Sequence, residues 1–95
     1  MRIRAERRAA EELLAIRMWY RQQSPTAEAS FFDAYERAKQ TLRASPAAGA
    51  PFLGGTRRLV MTGFPYSVVY RTENDWVTIV AIAHAKRRPG YWTKG

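Results

Sequence analysis

The chain has 95 residues, with 16 Lys and Arg against 8 Asp and Glu and a formal net charge of +8. This length fits a single domain, residues 1–95, and the charge indicates an anionic partner such as nucleic acid, a membrane surface or an acidic protein. The absence of cysteine excludes disulfides, thiolate catalysis and cysteine-based zinc sites, and the single histidine excludes a His-rich metal site, so we expect no metal and no cofactor.

The first half of the chain has the periodicity of two helices. Apolar residues recur at three- and four-residue spacing over about residues 6–22. Ser24 and Pro25 then supply a stop and a start, since Ser caps a helix and Pro suits its first turn. A second helix is predicted to about Ala44, and the short connection makes the pair an antiparallel hairpin.

Some side chains of these helices lie outside the two apolar stripes. The adjacent carboxylates of Glu11 and Glu12 are expected on the solvated helix surface. Trp19 and Phe32 also fall off the stripes. For these two aromatic residues, helix–sheet packing and a partner's groove are both open interpretations.

After a loop over residues 45–55, the second half has the pattern of strands. Residues 57–62, 66–72 and 76–84 are predicted strands, and their short connections require antiparallel neighbours. Residues 2–4 are a candidate edge strand. The predicted fold is therefore α+β, with an N-terminal antiparallel helical hairpin packed on a twisted antiparallel sheet of three to four strands.

Alternation along each strand predicts which side chains share a face. Leu59 and Met61 are expected to point toward the helices, which places Arg58 on the uncovered face. The last strand has two largely apolar rows, so its facing stays open. One row is Val77, Ile79, Ala81 and Ala83, and the other is Trp76, Thr78, Val80, Ile82 and His84.

The stretch HAKRRPGYW, residues 84–92, follows this most apolar strand. It is either a solvated tail, with Trp92 closing the open end of the core, or the edge of a site for an anion. Because cations and Tyr91 cluster beside a central strand, we favour a site formed by Arg58, His84, Arg87 and Tyr91. Guanidinium groups bind phosphates, and a Tyr or His side chain can transfer a proton.

Four stretches resemble one family: EELLAIRMWYRQQSP, RRLVMTGFPYSVVYR, WVTIVAIAH and AKRRPGYW. In this order they resemble the RelE/ParE superfamily of bacterial type II toxin–antitoxin toxins. The resemblance implies a toxin held inactive by a co-expressed, acidic antitoxin that wraps it with an extended, partly helical segment.

The resemblance implies two alternative targets. RelE-like members enter the ribosomal A site and cut mRNA, whereas ParE-like members poison DNA gyrase. By resemblance, Arg58 and Arg87 match cationic site residues of the family. Tyr91 matches a C-terminal tyrosine that is used in cleavage, and His84 resembles a histidine found in some branches. The chain departs from the cleaving pattern at Ser67 and Val60, where ribonuclease members carry cations.

We therefore predict a growth-arresting toxin that acts as a metal-independent, ribosome-dependent mRNA endonuclease. The alternative is a gyrase inhibitor that acts by binding alone, and a third possibility is an inert or plainly nucleic-acid-binding domain. The longest apolar run, residues 77–83, is far shorter than the roughly 20 residues of a membrane span. Acidic residues near the start argue against a transit peptide, so a cytoplasmic protein is expected.

Overall fold

The computed structural model describes residues 1–93, so the last two residues of the predicted domain lie outside the described part. Two helices, α1 (Arg7–Gln23) and α2 (Pro25–Ala44), form the predicted hairpin. Ser24 lies between them in extended conformation. Its backbone N–H donates to the Tyr20 carbonyl, and its Oγ accepts from the Ala27 N–H at 2.9 Å. One serine therefore ends α1 and caps α2.

Five strands form one sheet in the order β1-β5-β4-β3-β2. They are β1 (Arg2–Ala5), β2 (Ala50–Pro51), β3 (Arg57–Val60), β4 (Tyr66–Glu73) and β5 (Trp76–His84). The predicted α+β class is confirmed, and so is the antiparallel meander of β3, β4 and β5.

The sheet has one strand more than expected and is mixed. The candidate edge strand, β1, pairs parallel to β5, which the long connection between them permits. β2 lies in the predicted loop and has only two residues, too few to show an alternating pattern. It pairs antiparallel with β3 on the edge, where a proline is tolerated.

The main core lies between the helical hairpin and one face of the sheet. Met61 is buried and Leu59 packs against this core, as predicted, while Arg58 points to the opposite face. The largest fully buried side chains include Phe31 and Leu42 on α2, together with Tyr70, Val77 and Ile79 of the sheet.

The strict alternation expected for β5 is wrong beyond Ile79, because a β-bulge interrupts it. Val69 pairs with Ala81 and Tyr70 with Ile79, which leaves Val80 as the extra residue. Before the bulge, Ile79 faces the helices. After it, Ile82 faces them, while Val80 and Ala81 join Val69 on the other side.

A second, smaller cluster covers part of the sheet face that points away from the helices. Val69, Val80 and Ala81 form its buried centre, and Phe52, Ala83, Tyr91 and Trp92 pack against them. Trp92 therefore closes this second cluster and not the main core. The described part of the chain contains no helix with the length and hydropathy that a membrane span requires.

Candidate functional site

A shallow hollow opens on the sheet face away from the helices, at the end of β5. Arg58, His84 and Arg87 line it together with Ser67 and Trp92. Its volume is about 40 Å³, whereas a typical small-molecule site has roughly 300–1,000 Å³. The hollow therefore admits one small anionic group but not a whole nucleotide.

Arg58 reaches the hollow from β3, opposite Val69. Its guanidinium carbon lies 4.5 Å from the centre of the Phe52 ring. The neighbouring Arg57 points to the other side and donates to the Gly49 carbonyl at 2.7 Å. Stacking on a ring orients the Arg58 guanidinium without neutralising it, so its charge remains available to an anion.

Arg87 approaches from the turn that follows β5. The backbone N–H of Arg87 donates to the His84 carbonyl at 2.9 Å, and this hydrogen bond closes the turn. The guanidinium carbon lies 3.9 Å from the centre of the Tyr91 ring. As with Arg58, an aromatic ring orients the charge, and no carboxylate among the described residues forms an ion pair with either guanidinium.

His84 lies at the last position of β5, opposite Tyr66, with ring centres 5.1 Å apart. Its Nδ1 accepts a hydrogen bond from the Lys86 N–H at 3.0 Å. Tyr66 packs against the main core, so the imidazole lies on the helix-facing side of the sheet.

Tyr91 packs in the second cluster, and its hydroxyl points away from the hollow. The hydroxyl donates to Glu12 Oε2 at 2.5 Å. Burial raises the pKa of Tyr91 far above its ordinary value, and the hydrogen bond and negative charge of Glu12 add to the rise. The structure thus brings Arg58, His84 and Arg87 together and leaves the Tyr91 phenol, held in its neutral form, outside their hollow.

Glu12 is the residue whose place the sequence analysis missed. It was expected on the solvated helix surface, but its Oε1 accepts the Ile82 N–H at 2.9 Å while Oε2 binds Tyr91. This backbone N–H lies on β5 beyond the end of β1. The helical spacing indicates that Glu12 lies on the buried side of α1, since it is three residues after the buried Ala9 and four before the buried Ile16.

Three apolar side chains of α1 form an exposed surface remote from the hollow. Leu14, Met18 and Trp19 are 59%, 56% and 55% exposed. Trp19 is more than half exposed and contacts the edge of the Tyr20 ring, with the ring centres 5.0 Å apart. Phe32, by contrast, is half-buried and lies under the Arg17 guanidinium at 4.1 Å.

No group of three or more His, Asp or Glu side chains within residues 1–93 is placed to hold a metal ion. The side chains available at the hollow are two oriented guanidinium groups and the Ser67 hydroxyl, because the His84 imidazole packs on Tyr66, on the helix-facing side of β4 and β5. These groups suit the binding of an anion by charge-assisted hydrogen bonds.

Comparison with known proteins gives a family and a structural relative. The family model of the ParE toxin of the type II toxin–antitoxin system parDE matches residues 3–89. A solved chain of the chromosomal ParDE toxin–antitoxin system from P. aeruginosa is 25% identical and superposes with a TM-score of 0.77. The match covers 88% of the present chain and 95% of that chain. No curated protein sequence matches.

Proposed function

We propose that this chain, which belongs to the ParE toxin family of type II toxin–antitoxin systems, arrests growth by binding DNA gyrase and without a catalytic step. The observation that carries the proposal is the separation of the predicted catalytic groups. The hydroxyl of Tyr91 is hydrogen-bonded to Glu12 outside the hollow that Arg58, His84 and Arg87 share.

Phosphodiester cleavage by an internal 2′-hydroxyl needs a base for that hydroxyl and an acid for the leaving oxygen, both close to one phosphate. Among the described residues that line the hollow, only His84 has a side chain of the general acid or base type, and its ring packs against Tyr66. Tyr91 serves neither role in this arrangement, because its raised pKa and its bond to Glu12 keep the phenol neutral and occupied.

The two departures from the cleaving pattern lie together beside Arg58. Val60 and Ser67 are cross-strand partners on β3 and β4, and Val60 is 64% exposed. The positions at which ribonuclease relatives are expected to carry cations are therefore occupied by an exposed valine and a buried serine. This composition supports contact with a protein surface over stabilisation of a phosphorane-like transition state.

As the toxin of a toxin–antitoxin system, the chain has an antitoxin as its partner. We propose that this antitoxin is acidic, because the toxin carries a net charge of +8. Opposite charges accelerate encounter at low ionic strength. The association rate constant should therefore fall as salt is raised, while a rate independent of salt would contradict the proposed acidity.

The decisive experiment compares His84→Asn with the unchanged toxin in two assays. In a supercoiling assay with purified gyrase, the inhibitory concentrations of the two proteins are expected to agree within about twofold. The substitution removes at most one contact from the surface that would bind gyrase. In ribosome-programmed mRNA cleavage, neither is expected to cut. Arg7→Gln is the control, because Arg7 is exposed on α1 and pairs with Glu11 at 3.4 Å, away from the hollow.

The second candidate function is the ribosome-dependent mRNA endonuclease, which the convergence of Arg58, His84 and Arg87 favours. In that case His84→Asn would reduce cleavage by about 10²- to 10⁴-fold, as expected for a general acid or base. Transcripts cut within codons and an unaffected gyrase would overturn the gyrase proposal.

A further inference from the structure

Two groups can be distinguished among the described cations by their contacts. Arg7, Arg17, Lys39 and Arg71 each form an ion pair with a carboxylate. A second group stacks on aromatic rings and has no ion pair among the described residues. This group, here called the stacked arginines, consists of Arg2, Arg4, Arg58 and Arg87.

Three of the stacked arginines project from strands on the same face of the sheet. Arg2 and Arg4 lie in register with Trp76 and Thr78, on the face opposite the helices. Their guanidinium carbons are 5.4 and 4.8 Å from the Trp76 ring centre. Arg58, on β3, shares this face because its partner Val69 belongs to the second cluster.

Stacking has a different consequence from ion pairing. A guanidinium above a ring is held in place, yet its N–H groups stay directed outward and its charge is not cancelled. Arg4 uses one of these groups, Nε, to donate to Thr78 Oγ1 at 3.0 Å. Oriented, uncancelled guanidinium groups are the side chains that bind phosphate oxygens in nucleic-acid complexes.

The spacing of the stacked arginines fits a double helix. β1 and β3 are separated by two strands, β5 and β4, so their arginines are offset by about 14 Å across the sheet, and Arg58 is level with Ala81 while Arg4 is level with Thr78. The major groove of B-DNA is about 12 Å wide. Arg87, Lys86 and Arg88 extend the same basic surface beyond β5, and all three are exposed.

Arginine side chains cover the aromatic rings of this surface, and this favours double-stranded over single-stranded nucleic acid as the partner. Base stacking on a protein needs a free aromatic face, as in single-strand binding proteins. Here the arginines lie over the rings of Trp76, Phe52 and Tyr91. We infer that the stacked arginines bind the phosphate backbone of duplex DNA directly, without sequence preference, so that DNA is a second partner beyond the proposed gyrase.

The test is fluorescence anisotropy of a labelled duplex of 20–30 base pairs, titrated with the full-length toxin between 50 and 200 mM salt. Four phosphate contacts give a slope of log K against log salt of about −3.6. Arg4→Gln and Arg2→Gln are each expected to weaken binding several-fold and to reduce the slope by about 1. Thermal melting confirms that each variant is folded.

Arg7→Gln is the matched control, since it removes the same charge from α1 and is expected to leave the slope unchanged. An equal loss in Arg7→Gln and Arg4→Gln would mean diffuse attraction by net charge and would overturn the inference. Tighter binding to the corresponding single strand would also overturn it, because it would require free aromatic faces.

The outcomes separate this inference from the proposed function. Gyrase inhibition by a toxin that does not bind the duplex refutes direct DNA contact and leaves the gyrase proposal standing. Salt-dependent duplex binding by a toxin that leaves gyrase active supports the inference and refutes the gyrase proposal.

Discussion

Replacing Glu12 with alanine should destabilise the toxin by about 2–4 kcal/mol. The carboxylate accepts one hydrogen bond from the Ile82 N–H and one from the Tyr91 hydroxyl. Ile82 is buried, and leaving its N–H without a partner costs about 1–3 kcal/mol. Tyr91 is half-buried, so water replaces part of its lost bond, which adds about 1 kcal/mol.

The measurement is urea unfolding at pH 7, followed by circular dichroism. Glu11→Ala is the control on the same helix, and it should cost at most about 0.5 kcal/mol because its ion pair with Arg7 is exposed. Tyr91→Phe alone should cost about 1 kcal/mol, and Glu12→Gln should retain the acceptor for Ile82 and recover part of the stability.

The double variant Glu12→Ala with Tyr91→Phe isolates the bond between the two side chains. If the bond contributes as we infer, the two losses will be less than additive by about 1 kcal/mol. Fully additive losses, or a Glu12→Ala cost no larger than that of Glu11→Ala, would refute the role assigned to Glu12.

Three further predictions concern other contacts. Burial, with a smaller contribution from Glu36, raises the pKa of Tyr35 to about 12. The neutral phenol therefore contributes its full stabilisation below pH 10, and this contribution is lost as the pH rises toward 12. Replacing the residue, in Tyr35→Phe, should flatten the decline in unfolding free energy above pH 10. Gly49→Ala should cost at least about 2 kcal/mol, since its Cβ would lie 2.7 Å from the Tyr70 hydroxyl oxygen; a melting temperature within 2 °C of the parent, by differential scanning fluorimetry, would contradict this steric reasoning. Ser24→Ala should cost about 1 kcal/mol through loss of the α2 cap, with Ser24→Asp nearly neutral as the control, both by urea unfolding.

The helical hairpin was predictable because its signals are local. Ser24 and Pro25 are adjacent, and the stop, the cap and the first turn all follow from these two residues. The bulge at Val80 was not predictable, because it depends on how β4 and β5 align, and nothing in an apolar run shows which residue is extra. β1 was located from the sequence, but its parallel pairing to β5 joins residues more than 70 positions apart.

In the candidate site, too, features that depend on nearby residues were predictable and features that depend on distant residues were not. The facing of Arg58 follows from alternation over four residues, which the sequence displays directly. The direction of the Tyr91 hydroxyl depends on Glu12, 79 positions away, and that contact has no short-range pattern. The catalytic roles assigned from the sequence to Arg58, His84, Arg87 and Tyr91 remain predictions, and the His84 variant is the direct test.

The position of β5 has a consequence for synthesis. This central strand hydrogen-bonds to β1 on one side and β4 on the other, yet it is translated after both. A nascent chain therefore holds two helices and four strands, of which β1 and β4 lack their shared neighbour until about residue 84 has been translated. Copies that terminate before β5 should therefore be degraded, because β1 cannot join the rest of the sheet without that strand.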